Sequence, residues 1–292
     1  MCGGCVRLAC FAMATRFEIL LEGEDPARLR AAGEEALAEI ESLDRRLSRF
    51  RPDSDVSRIN AHAATGPVKV EPRLFRLLER AQEISDLTDG AFDVTIGPLM
   101  SLWGFAGEGR VPSRDEIESA LKVVGARNLI LYEPSFTVAF RSPGMGIDLG
   151  AIGKGCAIDA AVECLREAGI CRALVHGGTS TVYGIGRWEV GIGAARLEPV
   201  SGAQALHRVR LADSALSVSA VYGRSFERDG RRFGHVIDPR TGEPVSHTKR
   251  AAVWGPSATD CDALSTALLV LGESWLPELK ARFAGYEGLV SG

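Results

Sequence analysis

No stretch of this chain approaches the roughly 20 consecutive apolar residues of a membrane-spanning helix. The N-terminal MCGGCVRLACFAMATRF has neither a basic leader nor a long apolar core. No membrane span is expected, and the chain as given reads as cytoplasmic, with an exported lipoprotein form as the alternative if the start is misassigned. Positive charge is in deficit, with 34 Lys and Arg against 38 Asp and Glu and a net charge of -4. That removes the electrostatic case for nucleic acid or an anionic membrane as partner. The seven cysteines, at 2, 5, 10, 156, 164, 171 and 261, are odd in number and scattered, so they build no disulfide framework. Cys2 and Cys5 form one C-x-x-C, but no second pair or nearby histidine completes a zinc set. Repeats, low-complexity tracts and linker-like stretches are absent as well. The chain reads as one domain over 12–292 after a flexible segment 1–11.

What is present concentrates in GMGIDLGAIGKGCAIDAAVECL, residues 144 to 165. Gly144, Gly146, Gly150, Gly153 and Gly155 stand directly before a helix that keeps Ile158, Ala161, Val162 and Leu165 on one face. Glycines let backbone approach a ligand, and a helix N-terminus offers free N–H groups to an anion. The spacing matches neither a P-loop nor a dinucleotide fingerprint. The segment is a ligand-binding turn or plain turn chemistry.

Along the chain, ATRFEILL (14–21) alternates as a strand, and a helix over 26–48 follows, with Pro26 in its first turn. LSRFRPDSDVSRIN (47–60) reads as a loop, a second helix starts at Pro72, and TDGAFDVTIGPLMSLWGF (88–105) has too much Gly and Pro for a helix. Ser113 and Glu116 make a capping box for a third helix, and NLILY and FTVAFR flank a turn at Pro134. Beyond Gly169 come short strands at 173, 187, 207 and 215, the turn HVIDPRTGEPV, the strand AAVWG and a helix over 259–271. Helices weighted to the first half and a mixed or antiparallel sheet to the second give an α+β fold.

Asp262 and Thr266 are four apart on the last helix, so their oxygens share a face and suit a hard cation. Alternatively, Thr259 and Asp262 form a capping box and Thr266 bonds back to its own helix. His235 sits where a strand enters a tight turn, placed as a base or as a structural histidine. Asp93 and Asp148, in glycine-rich loops, face a pocket or close Asx-turns. Lys154 neutralises a phosphate or pairs with a surface acid. Arg16, Arg49, Arg51 and Arg58 read as solvated charges.

Taken in order, LSRFRPDSDVSRIN, GAFDVTIGPLMSLWGF, GIDLGAIGKGCAID, the glycine pair after ALVH, HVIDPRTGEP and DALSTALLVLG resemble the ApbE family of FAD:protein FMN transferases over about 12 to 272. The resemblance implies a T-fold-like α+β architecture and Mg2+-dependent transfer of FMN from FAD, the substrate, to a Thr or Ser hydroxyl of an acceptor flavoprotein, with AMP leaving. It implies an FAD site lined by Met13, Phe50, Ala91, Phe92, Asp93, Asp148, Lys154, His235 and Val236. It places the metal on the Ala151 carbonyl and the Asp262 and Thr266 side chains, and makes His235 the candidate to take the hydroxyl proton. Rival readings are an FAD pyrophosphatase yielding FMN and AMP, and a non-catalytic flavin-binding protein. The chain departs from the family pattern at Ala14 (usually Gly), Phe50 (often Tyr), Gly153 (usually Ala), Cys156 (often Tyr), Thr179, and Val218-Ser219-Ala220, where Thr-Ser-Gly is usual.

Overall fold

A two-residue turn sets the first strand pair. Strands β1 (Gly4–Ala12) and β2 (Thr15–Gly23) run antiparallel in unbroken register, with Ala12 opposite Thr15. Met13 and Ala14 are therefore the whole turn, and both take positive φ, 50° and 57°. That geometry matches the twist of the flanking strands and favours glycine, so Ala14 costs about 1 kcal/mol relative to Gly. The structure, a computed structural model, describes residues 4–192, 197–199, 207–221 and 223–291. Cys2, and with it the C-x-x-C, lies outside them. The flexible segment expected over 1–11 is corrected from Gly4 onward. It is a strand because Val6 and Ala12 are buried and Leu8 and Cys10 pack on the core.

After this hairpin come α1 (Pro26–Leu47), α2 (Asp55–His62), β3 (Val68–Lys69), α3 (Pro72–Leu87), α4 (Gly97–Trp103), α5 (Arg114–Leu121), β4 (Leu129–Tyr132) and β5 (Thr137–Phe140). Then follow α6 (Gly153–Glu167), β6 (Ala173–Gly177), β7 (Thr181–Ile192), β8 (Leu197–Pro199), β9 (His207–Ala220), β10 (Ser225–Arg228) and β11 (Arg231–Gly234). The last elements are β12 (Arg250–Gly255), α7 (Ala258–Leu271), α8 (Leu276–Arg282) and β13 (Glu287–Ser291). Among the described residues no helix is long and apolar enough to cross a membrane. The main sheet runs β1-β2-β6-β7-β9-β12-β13, with β8 on β7, and every pairing in it is antiparallel. Its outermost strands come from the two ends of the described chain, so the first half contributes to a sheet expected mainly from the second.

Three local expectations are corrected. The loop read over 47–60 contains α2, which starts because Ser54 accepts a hydrogen bond from the Ser57 amide. The glycine- and proline-rich 88–105 contains α4, since Pro98 falls in the first turn, where its missing N–H is not needed. The strands read separately at 207 and 215 are one strand, β9, kept continuous on β7 by a register shift between Gly184 and Arg187.

α1 lays Leu29, Ala36, Leu37, Ile40 and Leu43 on the sheet's inner face beside α6. α7 is buried on nearly every side, packed against α6, β9 and β12. A helix that apolar all round belongs in a core, so polar side chains on it need partners or a function.

Candidate active site

The glycine-rich loop between β5 and α6 is tied to the 91–97 segment by backbone bonds from Asp148 N to Val94 O (2.8 Å) and from Gly97 N to Gly146 O (3.1 Å). Asn60, on α2, secures the loop from a second side, its Oδ1 accepting from the Ile147 amide at 2.7 Å. The loop then delivers Lys154 and Gly155 into the first turn of α6, against α7. The Lys154 ammonium lies 3.3 and 3.4 Å from the two carboxylate oxygens of Asp262, and the Gly155 amide donates to Asp262 Oδ2 at 3.1 Å. Asp262 is 3% exposed.

A ring of hydroxyls completes the surroundings of this carboxylate. Thr181 and Ser217 each stand 3.4 Å from Asp262 Oδ1 and share a 3.0 Å hydrogen bond. Thr266 Oγ1 lies 3.1 Å from Ser219 Oγ and 3.3 Å from the Asp262 carbonyl. Ser265 bonds Ser219 at 2.8 Å and donates to the Asp262 carbonyl at 3.0 Å. Thr266 thus does bond back to its own helix, yet its hydroxyl opens toward the same cluster as Asp262. The capping box read at Thr259 and Asp262 is corrected. Ser257 is the N-cap of α7, accepting from the Asp260 amide, and Asp262 lies one turn deeper with its carboxylate turned to α6.

The donor set is all oxygen. Among the described residues no three His, Cys, Asp or Glu side chains gather as a metal nest. One carboxylate with hydroxyl and carbonyl oxygens does not suit zinc, but it suits Mg2+, which is commonly held by one or two carboxylates together with substrate phosphates. Among the described residues, every hydrogen-bond contact to the Asp262 carboxylate is 3.1 Å or longer, so its oxygens are held less tightly than those of most buried carboxylates here. Ala151 belongs to the turn just before α6, next to the Gly150 carbonyl that lies 3.4 Å from the Lys154 ammonium.

His235 follows the β10–β11 hairpin, and its Nδ1 lies 3.1 Å from the Arg224 carbonyl and 3.3 Å from the Arg224 amide. Burial lowers its pKa below the ordinary value, and the charges of Arg224 and Lys154 push the same way, against the hydrogen bond to the Arg224 backbone and the charge of Asp148. The imidazole therefore shares a neighbourhood with Lys154 and Asp148 and is neutral at pH 7. Asp148 accepts from the Gly150 amide at 2.8 Å and from Arg49 at 2.7 Å. Arg49 is thus not the solvated charge expected of it. It also reaches Ser101 at 2.9 Å and stacks near the ring of Phe50, which is 65% exposed at the rim.

Asp93 turns out differently. Both its oxygens are used within the fold, by the Thr95 amide (2.7 Å), the Thr95 hydroxyl (2.6 Å) and the Ala126 amide (2.7 Å). The Asx-turn alternative describes it, and its carboxyl pKa is raised by burial. Ala91 and Phe92 are buried beside it, and Val236 packs on the main core with its carbonyl accepting from Val245 at 2.8 Å. Met13 stands at the end of the sheet where the β6–β7 turn places Thr181, its amide held by Asp44 at 2.7 Å. Ala220 ends β9 opposite Arg250 in extended backbone, so that position makes no conformational demand for glycine.

Sequence reasoning missed Arg49, Thr181, Ser217 and Ser265. The alternation Ser217-Val218-Ser219 on a strand was a usable signal, because period two puts both hydroxyls on one face. Thr181 and Arg49 carried none. A hollow of about 450 Å³ lined by Arg45, Arg46, Asp53, Asp55, Arg58 and Glu71 lies outside this cluster, and its Arg46–Glu71 and Arg58–Asp55 pairs close on one another.

Comparison with known proteins gives the arrangement a context. The family model described as "ApbE family" matches residues 13–289. An FAD:protein FMN transferase of Treponema pallidum is 34% identical, over 99% of this chain and 86% of that protein. One from Vibrio cholerae is 32% identical, over 80% of this chain and 71% of its own length. Among solved structures, the ApbE protein of Thermotoga maritima superposes with a TM-score of 0.87 at 32% identity, covering 98% of this chain and 94% of that one. The flavinyl transferase ApbE of Pseudomonas stutzeri, in its apo form, gives 0.82 at 28% identity over 99% and 95% of the two chains.

Proposed function

The chain belongs to the ApbE family, and from that premise we propose that it transfers FMN from FAD to a Thr or Ser hydroxyl of an acceptor flavoprotein, releasing AMP, in a Mg2+-dependent reaction. The observation that carries this reading is Asp262, a deeply buried carboxylate with only long protein contacts, facing Lys154. A protein that merely bound flavin would have no use for it. Asp262, Thr266 and the Ala151 carbonyl would hold Mg2+, which supplies charge neutralisation at the pyrophosphate when bound.

The chain's own groups do the rest. Lys154 sets a positive charge beside the phosphates, where negative charge grows on the departing AMP oxygen. In the tautomer that donates from Nδ1 to the Arg224 carbonyl, rather than accepting from the Arg224 amide, Nε2 keeps its lone pair. The acceptor hydroxyl gives its proton to Nε2 as its oxygen bonds to the FMN phosphorus, and the bond from that phosphorus to the bridging oxygen breaks with AMP as leaving group. Met13 and Phe50 offer apolar surface to a flat ring system. Asp148 and the backbone of 91–93 border the FAD site, with the Asp93 carboxylate kept for the fold.

The test is to incubate the protein with FAD, Mg2+ and a Thr-containing acceptor domain, then follow flavin fluorescence on a denaturing gel alongside AMP. Fluorescence that stays with the acceptor, requires Mg2+ and tracks AMP is expected. AMP with free FMN and no labelling, for every acceptor tried, would replace transfer by hydrolysis. FAD bound but unchanged would make the protein a flavin binder. For His235, the acid limb of kcat/KM should lie below about pH 6.5, because the working form is neutral and its pKa is lowered. A His235→Ala variant with an unchanged rate and pH profile would remove it from the mechanism.

A further inference from the structure

Asp159 lies on α6, one turn beyond Lys154, and touches none of the groups assigned a chemical part above. Its carboxylate instead accepts four short hydrogen bonds from the start of α7. They come from the Ala258 amide (2.9 Å), the Thr259 amide (2.9 Å), the Thr259 hydroxyl (2.7 Å) and the Ser257 hydroxyl (2.8 Å). An anion is well placed at a helix N-terminus. Yet α7 already has its own cap in Ser257, which accepts from the Asp260 amide at 3.2 Å. What Asp159 adds is an attachment between two helices.

One turn along, the same helices face each other across the site, with Lys154 and Gly155 on α6 and Asp262 on α7. Those contacts, at 3.1 to 3.4 Å, are longer than the bonds to Asp159 and hold the helices in register less firmly. The four bonds to Asp159 are short and partly buried. The backbones also meet closely here, since a Cβ on Gly155 would stand 2.2 Å from the Ala258 carbonyl oxygen. We infer that Asp159 is a positioning residue that fixes α7 on α6, and thereby sets the reach of Asp262 and Thr266 to a divalent cation and of Lys154 to a diphosphate. The inference rests on the metal reading proposed above.

The test uses the full chain with FAD, Mn2+ as the probe ion, and calorimetry or the loss of the free Mn2+ resonance as readout. Asp159→Asn keeps the shape but cannot accept at both positions. It should weaken Mn2+ binding about tenfold or more, as loss of groups that orient ligands does, and lower kcat while leaving the KM for FAD little changed. Thr259→Ala removes one of the four bonds and should shift both quantities the same way by less, and it decides the matter if Asp159→Asn does not fold. Folded variants with wild-type Mn2+ affinity and kcat, altered only in melting temperature, would reduce Asp159 to a structural cap and overturn the inference. Mn2+ binding that survives Asp262→Ala unchanged would overturn the metal assignment, and the inference with it.

Discussion

Two carboxylates stand two residues apart in the first turns of α7, and the fold treats them in opposite ways. Asp260 is gripped by Arg80 through two bonds, 2.9 and 2.7 Å, and by the Tyr286 hydroxyl at 2.7 Å. It joins α7 to α3 and to the turn before β13. Asp262, buried just as deeply, meets Lys154, Gly155, Thr181 and Ser217, none of them closer than 3.1 Å. A buried carboxylate is normally hydrogen-bonded at full strength, because its desolvation is otherwise uncompensated. Asp260 satisfies that rule within the protein. Asp262 meets it only through longer contacts, the Lys154 ammonium among them, which is the geometry expected of the cation ligand proposed above.

The comparison can be broken at several points. Asp262→Ala has the largest expected effect: FAD binding is retained and turnover falls by about a hundredfold or more, as expected when a charge-stabilising group is lost. Equilibrium FAD titration beside the AMP assay checks it, and an unchanged rate at limiting Mg2+ would return Asp262 to the structural class. Its cost to the fold should be under about 1 kcal/mol, since loosely satisfied functional groups contribute little to stability. Asp260→Ala should show the reverse in urea melts. It strips Arg80 of its buried partner and costs about 2–3 kcal/mol, below the range for fully buried pairs because Arg80 is 34% exposed.

Two glycines in the first turn of α6 sharpen the contrast further. Gly155→Ala should destabilise by about 2–3 kcal/mol, because the added methyl meets Ala258 and Thr259 backbone and α7 has to move. The added methyl of Gly153→Ala finds its nearest neighbour, Leu47 Cδ1, at 3.8 Å. It should raise stability by up to about 1 kcal/mol through lost chain entropy. Equal effects at the two positions would mean that helix contact does not govern this segment. Smallest of all, Ala14→Gly should relieve the left-handed turn at φ 57° by less than about 1 kcal/mol, visible as a slight rise in melting temperature.

Much of the site is legible in the residues alone. Asp262 and Thr266 stand out by helical spacing, and the glycines before α6 by their density. Arg49 and Asp93 are not legible, for opposite reasons. Arg49 looks like any charge in a polar segment, and only the approach of Asp148, 99 residues away, makes it a latch. Asp93 looks like a pocket carboxylate, but Ala126, 33 residues on, takes up its second oxygen.

The sequence by itself determined the local devices: the proline-started helices, the Ser113 capping box and the period-two strands. Each depends on residues a few positions apart, and in concert with the ordered motifs they indicate the family. Only the tertiary structure decided which of two nearby aspartates is held by short bonds and which by longer ones. It also made Asp159 a link between helices. Those outcomes depend on donors brought together from distant parts of the chain, and desolvation in a folded core makes the presence or absence of each donor count.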